Sequence, residues 1–397
     1  MSVITTTRNA SLSDLRDLLV DQHARKIDAV VPAQQIRMEE GLLRVRGVEQ
    51  VIEESGVTDP NGLYRPTEVF DEGLSEKVRI PLGYVRRLRQ ERPDLLDANV
   101  NGWLHGRRPL VVSAADGGAP IVKRQGVLGD DRSFLVRMFR GDDGEQGVAR
   151  ALLSSSYRVM DNLDALVAAL DGIRQAGVDV EVAGADLTDR RMYVRIVAPQ
   201  VQALAPALLG RYRSPFTGET GADNPTMFAG FVLSNSETGD GAFSIVPRLV
   251  VQVCTNGMTI TKDAMRSVHL GGRMDDGVIR WSEDTQQKQA ALISAKARDA
   301  VTTFLDVDYM QQVVRGLQDA AERPIKDVED VKVVAKRLAF DQETTDRVFD
   351  MFVRGADMTA GGVMHAVTAA ARETADADKA SALEDSALKA LETAAAL

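Results

Sequence analysis

The sequence predicts an α+β protein: a central, mostly antiparallel sheet with packed helices and a helical C-terminal region. Three observations predict it. Short runs that alternate apolar and polar residues crowd the middle of the chain, and Asn, Gly and Asp turn signals separate them. From about Glu283 the pattern changes to the spacing of amphipathic helices. The expected organisation is an N-terminal α/β region over 1–110, a sheet core over 111–285, and a helical region over 286–397 that ends in an acidic, Ala-rich tail.

A chain of 397 residues can bury a large core, and 44% hydrophobic with 27% charged residues sits at globular averages, which excludes wholly disordered and membrane-embedded classes. No stretch approaches the ~20 apolar residues of a membrane span, and MSVITTTRNASLSDLRDLL lacks the basic-then-apolar order of a secretory leader, so a cytoplasmic location is expected. Cys254 is the single cysteine, which excludes an intramolecular disulfide and multi-cysteine zinc sites. The net charge of -10 opposes whole-chain attraction to nucleic acid. Residues 121–290 are close to charge balance, however, so a local basic groove is compatible with the composition.

Leu12, Leu15, Leu18 and Leu19 behind Ser11 or Ser13 predict an amphipathic helix that Pro32 ends, and Leu43 and Val45 alternating with Arg44 and Arg46 predict a strand. LSEKVRI reads as a short strand, followed by a helix from about Pro81 that Pro93 breaks, with Arg86, Arg87, Arg89 and Arg92 making its exposed side basic, either as a solvated face or as a nucleic-acid contact. Residues 116–147 read as loops around edge strands, with a domain joint near 106–118. Ala151 to Tyr157 suits a strand. Leu163, Leu166, Val167 and Leu170 form the stripe of a helix capped at Asp161 or Asn162 and closed by Gly177. VDVEVAGADL and RMYVRIVAP read as a hairpin, RYRSPFTGETGADNPTM as a long exposed loop, and MFAGFVLSN with AFSIVPRLVVQV as the sheet's centre. The SNSETGDG turn joins these two, and Asn256-Gly257 is another tight turn. Four helical runs follow from about Glu283, then a helix with a frayed end.

Several of these stretches carry a resemblance. LLSSSYRVMDNLDAL, FAGFVLSNSETGDGAFSIVPRLVVQVCTNGM, the HLGG at His269 and the late GADMTAGGVMHAVT resemble the phage and plasmid proteins grouped as the domain-of-unknown-function 932 family, over roughly residues 80–370. The resemblance implies a mobile-element setting, in the cytoplasm of a host cell, and an accessory role in DNA metabolism. The order of elements is similar to the sheet-and-helix core of single-strand annealing recombinases, a fold-level analogy.

Candidate chemistry is sparse. Glu237 and Asp240, in a turn of short polar groups, are weak candidates to hold a hard cation such as magnesium, with Asp223, Asp263, Asp275 and Asp276 as conceivable partners; the competing reading is a hairpin turn that satisfies its own backbone. Cys254 with His269 invites a thiol-nucleophile reading, against that of a small buried hydrophobe. No phosphate loop, dinucleotide fingerprint or hydrolase elbow occurs, so no catalytic residue is assigned.

Basic residues interleaved with tyrosine remain. Arg191, Tyr193 and Arg195 share one side of a strand, and Arg211, Tyr212 and Arg213 repeat the theme in the following loop. Arginine holds phosphate and tyrosine stacks a base, as a single-strand platform needs; the competing reading is an ordinary solvent face balanced by Asp186 and Asp189. Arg248, Lys262 and Arg266 are secondary members. The expectation is a non-enzymatic, self-assembling phage or plasmid protein that binds single-stranded DNA in recombination. The rival expectations are an interaction protein engaging a host or phage protein, and a metal-dependent nuclease centred on Glu237 and Asp240.

Overall fold

The computed structural model describes residues 6–53, 56–107, 110–112, 121–124, 126–142, 145–157, 159–253, 257–267 and 283–397. Cys254, Asn256, His269, Asp275 and Asp276 lie outside the described residues, and so do the thiol, turn and metal-partner expectations attached to them. No helix among the described residues is long and apolar enough to cross a membrane. The chain forms two compact units that divide within its first helix: residues 18–159 build the first, and 6–17 with 160–267 and 283–397 build the second.

The chain opens with β1 (Thr7–Ala10) and α1 (Leu12–Arg25). The helix expected to run to Pro32 stops at Arg25, and Lys26–Pro32 is a strand, β2. Ile27, Ala29 and Val31 fall at every second position and are buried, while Asp28 and Val30 face water; the period of two overrides the helical one here. β3 (Ile36–Glu39) and β4 (Leu42–Val45) make the next hairpin. Its turn places Glu40 and Gly41 at φ 53° and 78°, and the Asp97 carboxylate accepts both of their N–H groups.

β5 (Val51–Glu53) and β6 (Gly56–Thr58) form a two-stranded ribbon, after which come β7 (Gly62–Pro66), α2 (Glu68–Val78), α3 (Leu82–Glu91) and α4 (Pro93–His105). The strand expected at 74–80 is the end of α2: Thr67 caps the helix by accepting the Phe70 N–H, and Phe70, Leu74 and Val78 bury one stripe. Pro93 begins α4 as well as ending α3, since a first-turn proline forfeits no hydrogen bond. The arginines of this region are neutralised: Arg86 pairs with Glu72, Arg87 with Glu91, Arg89 with Asp71 and Arg92 with Asp94.

β8 (Leu110–Val112) pairs with β9 (Ile121–Arg124), and β10 (Ser133–Phe139) and β11 (Gly147–Ser154) follow. β10 is no edge strand. It lies between β2 and β11 in a six-stranded sheet ordered β2-β10-β11-β7-β4-β3, in which β11 runs parallel to β7. Those pairings tie residues 133–154 to the N-terminal strands, and the first unit continues to Val159.

The second unit continues with α5 (Asn162–Ala176), closed by Gly177 at φ 68°, then β12 (Glu181–Leu187), β13 (Met192–Leu204), α6 (Pro206–Leu209), β14 (Thr226–Asn235), β15 (Phe243–Val251), β16 (Gly257–Thr259) and β17 (Met265–Ser267). Its antiparallel sheet runs β1-β12-β13-β14-β15-β16, with β17 also on β15. The α5 stripe is rotated from expectation: Ala165, Leu166, Ala169 and Ile173 are buried, whereas Val167 is 59% exposed.

Six helices complete the unit: α7 (Glu283–Phe304), α8 (Val307–Ala321), α9 (Asp330–Arg337), α10 (Gln342–Gly355), α11 (Ala360–Glu373) and α12 (Ala377–Ala395). Every residue of α11 from Ala360 to Ala371 is buried, as its small apolar sequence allows. The frayed tail expected at the end is α12, whose Ala380, Leu383, Ala387, Leu391 and Ala394 are buried. The acidic C-terminal segment is therefore part of the packed unit.

Candidate functional site

The register of the large sheet determines which side chains share its polar face. Tyr193 of β13 stands opposite Ser234 of β14, Ser234 opposite Ser244 of β15, and Ser244 opposite Arg266 of β17. One step along the sheet, Arg248 of β15 stands opposite Thr259 of β16. Directly paired residues project to the same side, so hydroxyls and guanidinium groups from several strands gather on one face. Met192, Val194, Ile196, Leu233 and Ile245 occupy the other face and are buried. The alternation expected for RMYVRIVAP is present, with Arg191, Tyr193 and Arg195 on one side.

The expected open platform is not present, because α12 lies on this face. Asp378, Ser381 and Asp385 follow one another at helical intervals of three and four, on one side of α12. The Tyr193 hydroxyl donates to Asp378 Oδ1 at 2.9 Å, and the Thr188 hydroxyl donates to the same oxygen at 3.2 Å. Arg248 pairs with Glu384 at 2.8 Å, and Thr259 donates its hydroxyl to Asp385. Tyr193 is 6% exposed and has no ring face open for a base. Burial, with the Asp378 charge beside it, pushes its hydroxyl well above the ordinary tyrosine range. Burial also raises the carboxyls of Asp378 and Asp385 above the usual carboxylate range.

The arginines of the predicted platform are occupied in the same way. Arg195 pairs with Asp186, which is fully buried and also holds Arg8 and the Asn9 N–H. Arg191 donates to the Asp240 carbonyl, and Arg190 reaches the Asp240 carboxylate at 3.4 Å. Arg248 is 5% exposed, and its Nε finds no partner.

The loop expected to be long and exposed is pinned. Tyr212 is 2% exposed, and its ring lies 4.4 Å from that of His365. The Arg213 N–H donates to the Gly355 carbonyl, the Arg213 guanidinium donates to the Gly218 carbonyl, and Arg213 bridges to Thr220. Tyr212 therefore offers no stacking surface, while Arg211 and Arg213 on either side of it are exposed.

The weak metal candidates are engaged as well. Glu237 is buried, and its Oε1 accepts the Asn162 N–H at 2.5 Å, which caps the first turn of α5 where the helix dipole favours a carboxylate. Asp240 is held by Arg190, and Asp263 accepts the Tyr309 hydroxyl at 2.9 Å. Among the described residues no group of three or more His, Cys, Asp or Glu side chains is placed to hold a metal.

Two features survive as a site. The first is the set of exposed cations Arg211, Arg213, Lys262 and Arg266, none of which holds a salt bridge among the described residues. Arg211 and Arg213 follow the end of β13 beside Thr226, and Arg266 stands near the opposite end of β14. Ten strand residues separate those ends, about 30 Å at 3.3 Å per residue. The second is a cleft of about 310 Å³ between the polar face and α12, lined by Arg191, Tyr193, Ser234, Ser244, Arg266 and Asp385 among others.

Sequence reading missed the α12 carboxylates, and placed Asp186 only as a nearby balancing charge. The signal for α12 was the spacing of Asp378, Ser381 and Asp385, which a tail expected to be solvated made easy to pass over. Comparison with known proteins adds no relative: no family model, curated protein or solved structure matches the chain. The fold and site define an α+β protein whose second unit carries a polar sheet face beneath an acidic helix.

Proposed function

We propose that the second unit binds single-stranded DNA without acting on it, through exposed cations at the two ends of its large sheet. The observation that supports this is the sorting of its arginines. On a chain with a net charge of -10, Arg195 and Arg248 are spent on internal carboxylates, while Arg211, Arg213, Lys262 and Arg266 stand in water with no salt bridge among the described residues. Cations left in water are available to phosphate, and each phosphate they neutralise releases counterions. Their separation favours a flexible strand that can bend from one pair to the other over a stiff duplex. The contacts are phosphate contacts, with no tyrosine stacking. Assembly of several copies on one strand would multiply them, in the setting of phage and plasmid DNA metabolism that the sequence resembles.

Fluorescence anisotropy with labelled single-stranded and duplex DNA of equal length tests this reading. The expected result is preference for the single strand, no requirement for magnesium, and about tenfold weaker binding in each of two variants, Arg211→Glu with Arg213→Glu and Lys262→Glu with Arg266→Glu. Unchanged binding in both variants overturns it.

A second reading, a protein partner, rests on the first unit. Trp103 of α4 is 60% exposed, Leu95 of the same helix is 38% exposed, and Leu128 is 95% exposed; large exposed apolar side chains are the kind that protein interfaces cover. Retained DNA binding by a Trp103→Ala variant separates the two readings.

A further inference from the structure

We propose that the cleft between the polar sheet face and α12 is a site for a terminal phosphate, a phosphomonoester, with Arg191 and Arg266 as its cationic walls. The inference rests on the DNA-binding reading where the phosphate is the end of a strand, and stands apart from it where the phosphate belongs to a mononucleotide.

The cleft is polar by construction. Arg191, immediately before β13, and Arg266 of β17 line it, and Ser234 and Ser244 bring hydroxyls to it from the neighbouring strands β14 and β15. The Ser234 and Ser244 hydroxyls are 2.8 Å apart and buried, a pair that can donate to an anion once one bond is exchanged. About 310 Å³ lies at the small end of ligand cavities, which suits one compact charged group and not a run of stacked bases. Phosphate matches this lining because a guanidinium presents a planar fork of donors to its oxygens, and hydroxyls fill the remaining acceptor directions.

One carboxylate opposes an anion here. Asp385 faces Thr259 of β16, Arg191 just before β13 and Arg266 of β17, with Glu384 beside it on α12, and burial raises its carboxyl above the usual range. When Asp385 takes up a proton, the two arginines are left without its opposing charge. Loss of the Asp385 charge, by protonation or in Asp385→Asn, therefore strengthens phosphate binding.

The test compares labelled oligothymidylate carrying a 5′-phosphate with the same oligonucleotide ending in a hydroxyl, and adds inorganic phosphate and thymidine monophosphate as separate probes. The expected result is at least about tenfold tighter binding of the phosphorylated strand. Arg266→Ala should erase that preference, because Arg266 is exposed and its loss leaves the core intact. Asp385→Asn should enlarge the preference at neutral pH. Equal affinity of the two oligonucleotides overturns the site while leaving the DNA-binding reading in place. Binding of the mononucleotide, lost in Arg266→Ala, with neither oligonucleotide bound, supports the site and overturns the DNA-binding reading. Binding of no probe overturns both.

Discussion

The Tyr193 hydroxyl donates to the Asp378 carboxylate across the boundary between sheet and helix, at 2.9 Å. That one bond joins the start of β13 to the first turn of α12, and it turns the tyrosine that sequence reading assigns to a base into a structural contact. Tyr193→Phe should destabilise the protein by about 1 kcal/mol, the usual net contribution of a buried hydrogen bond, with no direct loss of a stacking contact to DNA. Chemical denaturation and DNA anisotropy on the same variant measure the two effects separately.

Asp378 gives a pH dependence whose sign can be worked out. Its carboxyl is raised in the folded state, chiefly by burial, so the folded protein holds that proton more tightly than the unfolded chain does. This group therefore favours folding at acid pH and loses that contribution as pH rises from the unfolded value through the raised folded one. Asp378→Asn keeps an acceptor for Tyr193 and removes the titration. Its melting temperature should equal that of the parent near pH 4 and exceed it at pH 7; a deficit at pH 7 would contradict the assignment.

Asp186 should be the most sensitive carboxylate of the second unit. It is fully buried and holds Arg195, Arg8 and the Asn9 N–H, which tie β1 and β13 to β12. Asp186→Ala leaves the Arg195 charge buried without its partner, at a cost of about 3–5 kcal/mol. Arg8 has a partly exposed side chain, so Arg8→Ala should cost about 1 kcal/mol or less. Urea unfolding of the two variants measures the difference, and equal costs would contradict this account of the cluster.

Glu237 separates a structural role from a metal-binding one. As the acceptor for the Asn162 N–H it caps α5, so Glu237→Ala should cost about 1–2 kcal/mol and Glu237→Gln less, since the amide oxygen still accepts. Magnesium should leave the melting temperature of all three proteins unchanged. A magnesium-dependent rise in the parent that is lost in Glu237→Gln would reinstate the cation reading.

Local patterns in the sequence carry much of the fold. The alternation in RMYVRIVAP, the apolar strand run FSIVPRLVV, the Gly177 cap and the switch to helical spacing after Glu283 all act within a few residues, and the structure matches them. What misled are places where distant partners decide. Lys26–Pro32 becomes a strand because β10, more than a hundred residues later, pairs with it. β11 lies parallel to β7, a pairing no local turn announces. The site fared likewise: the side of β13 that carries Tyr193 was legible, but its cover was not. The acidic residues of α12 look solvated in sequence, and only the fold brings Asp378, Glu384 and Asp385 onto Tyr193, Arg248 and Thr259.

The salt dependence of single-stranded DNA affinity tests the central claim most directly. At about -0.7 per phosphate contact on a single strand, four exposed cations predict a slope of about -3 in a plot of log affinity against log salt. Reversing Arg211, Arg213, Lys262 and Arg266 together should bring the slope close to zero and abolish measurable binding at physiological salt. A parent protein whose affinity does not change with salt, or a fourfold variant that binds as the parent does, would contradict it.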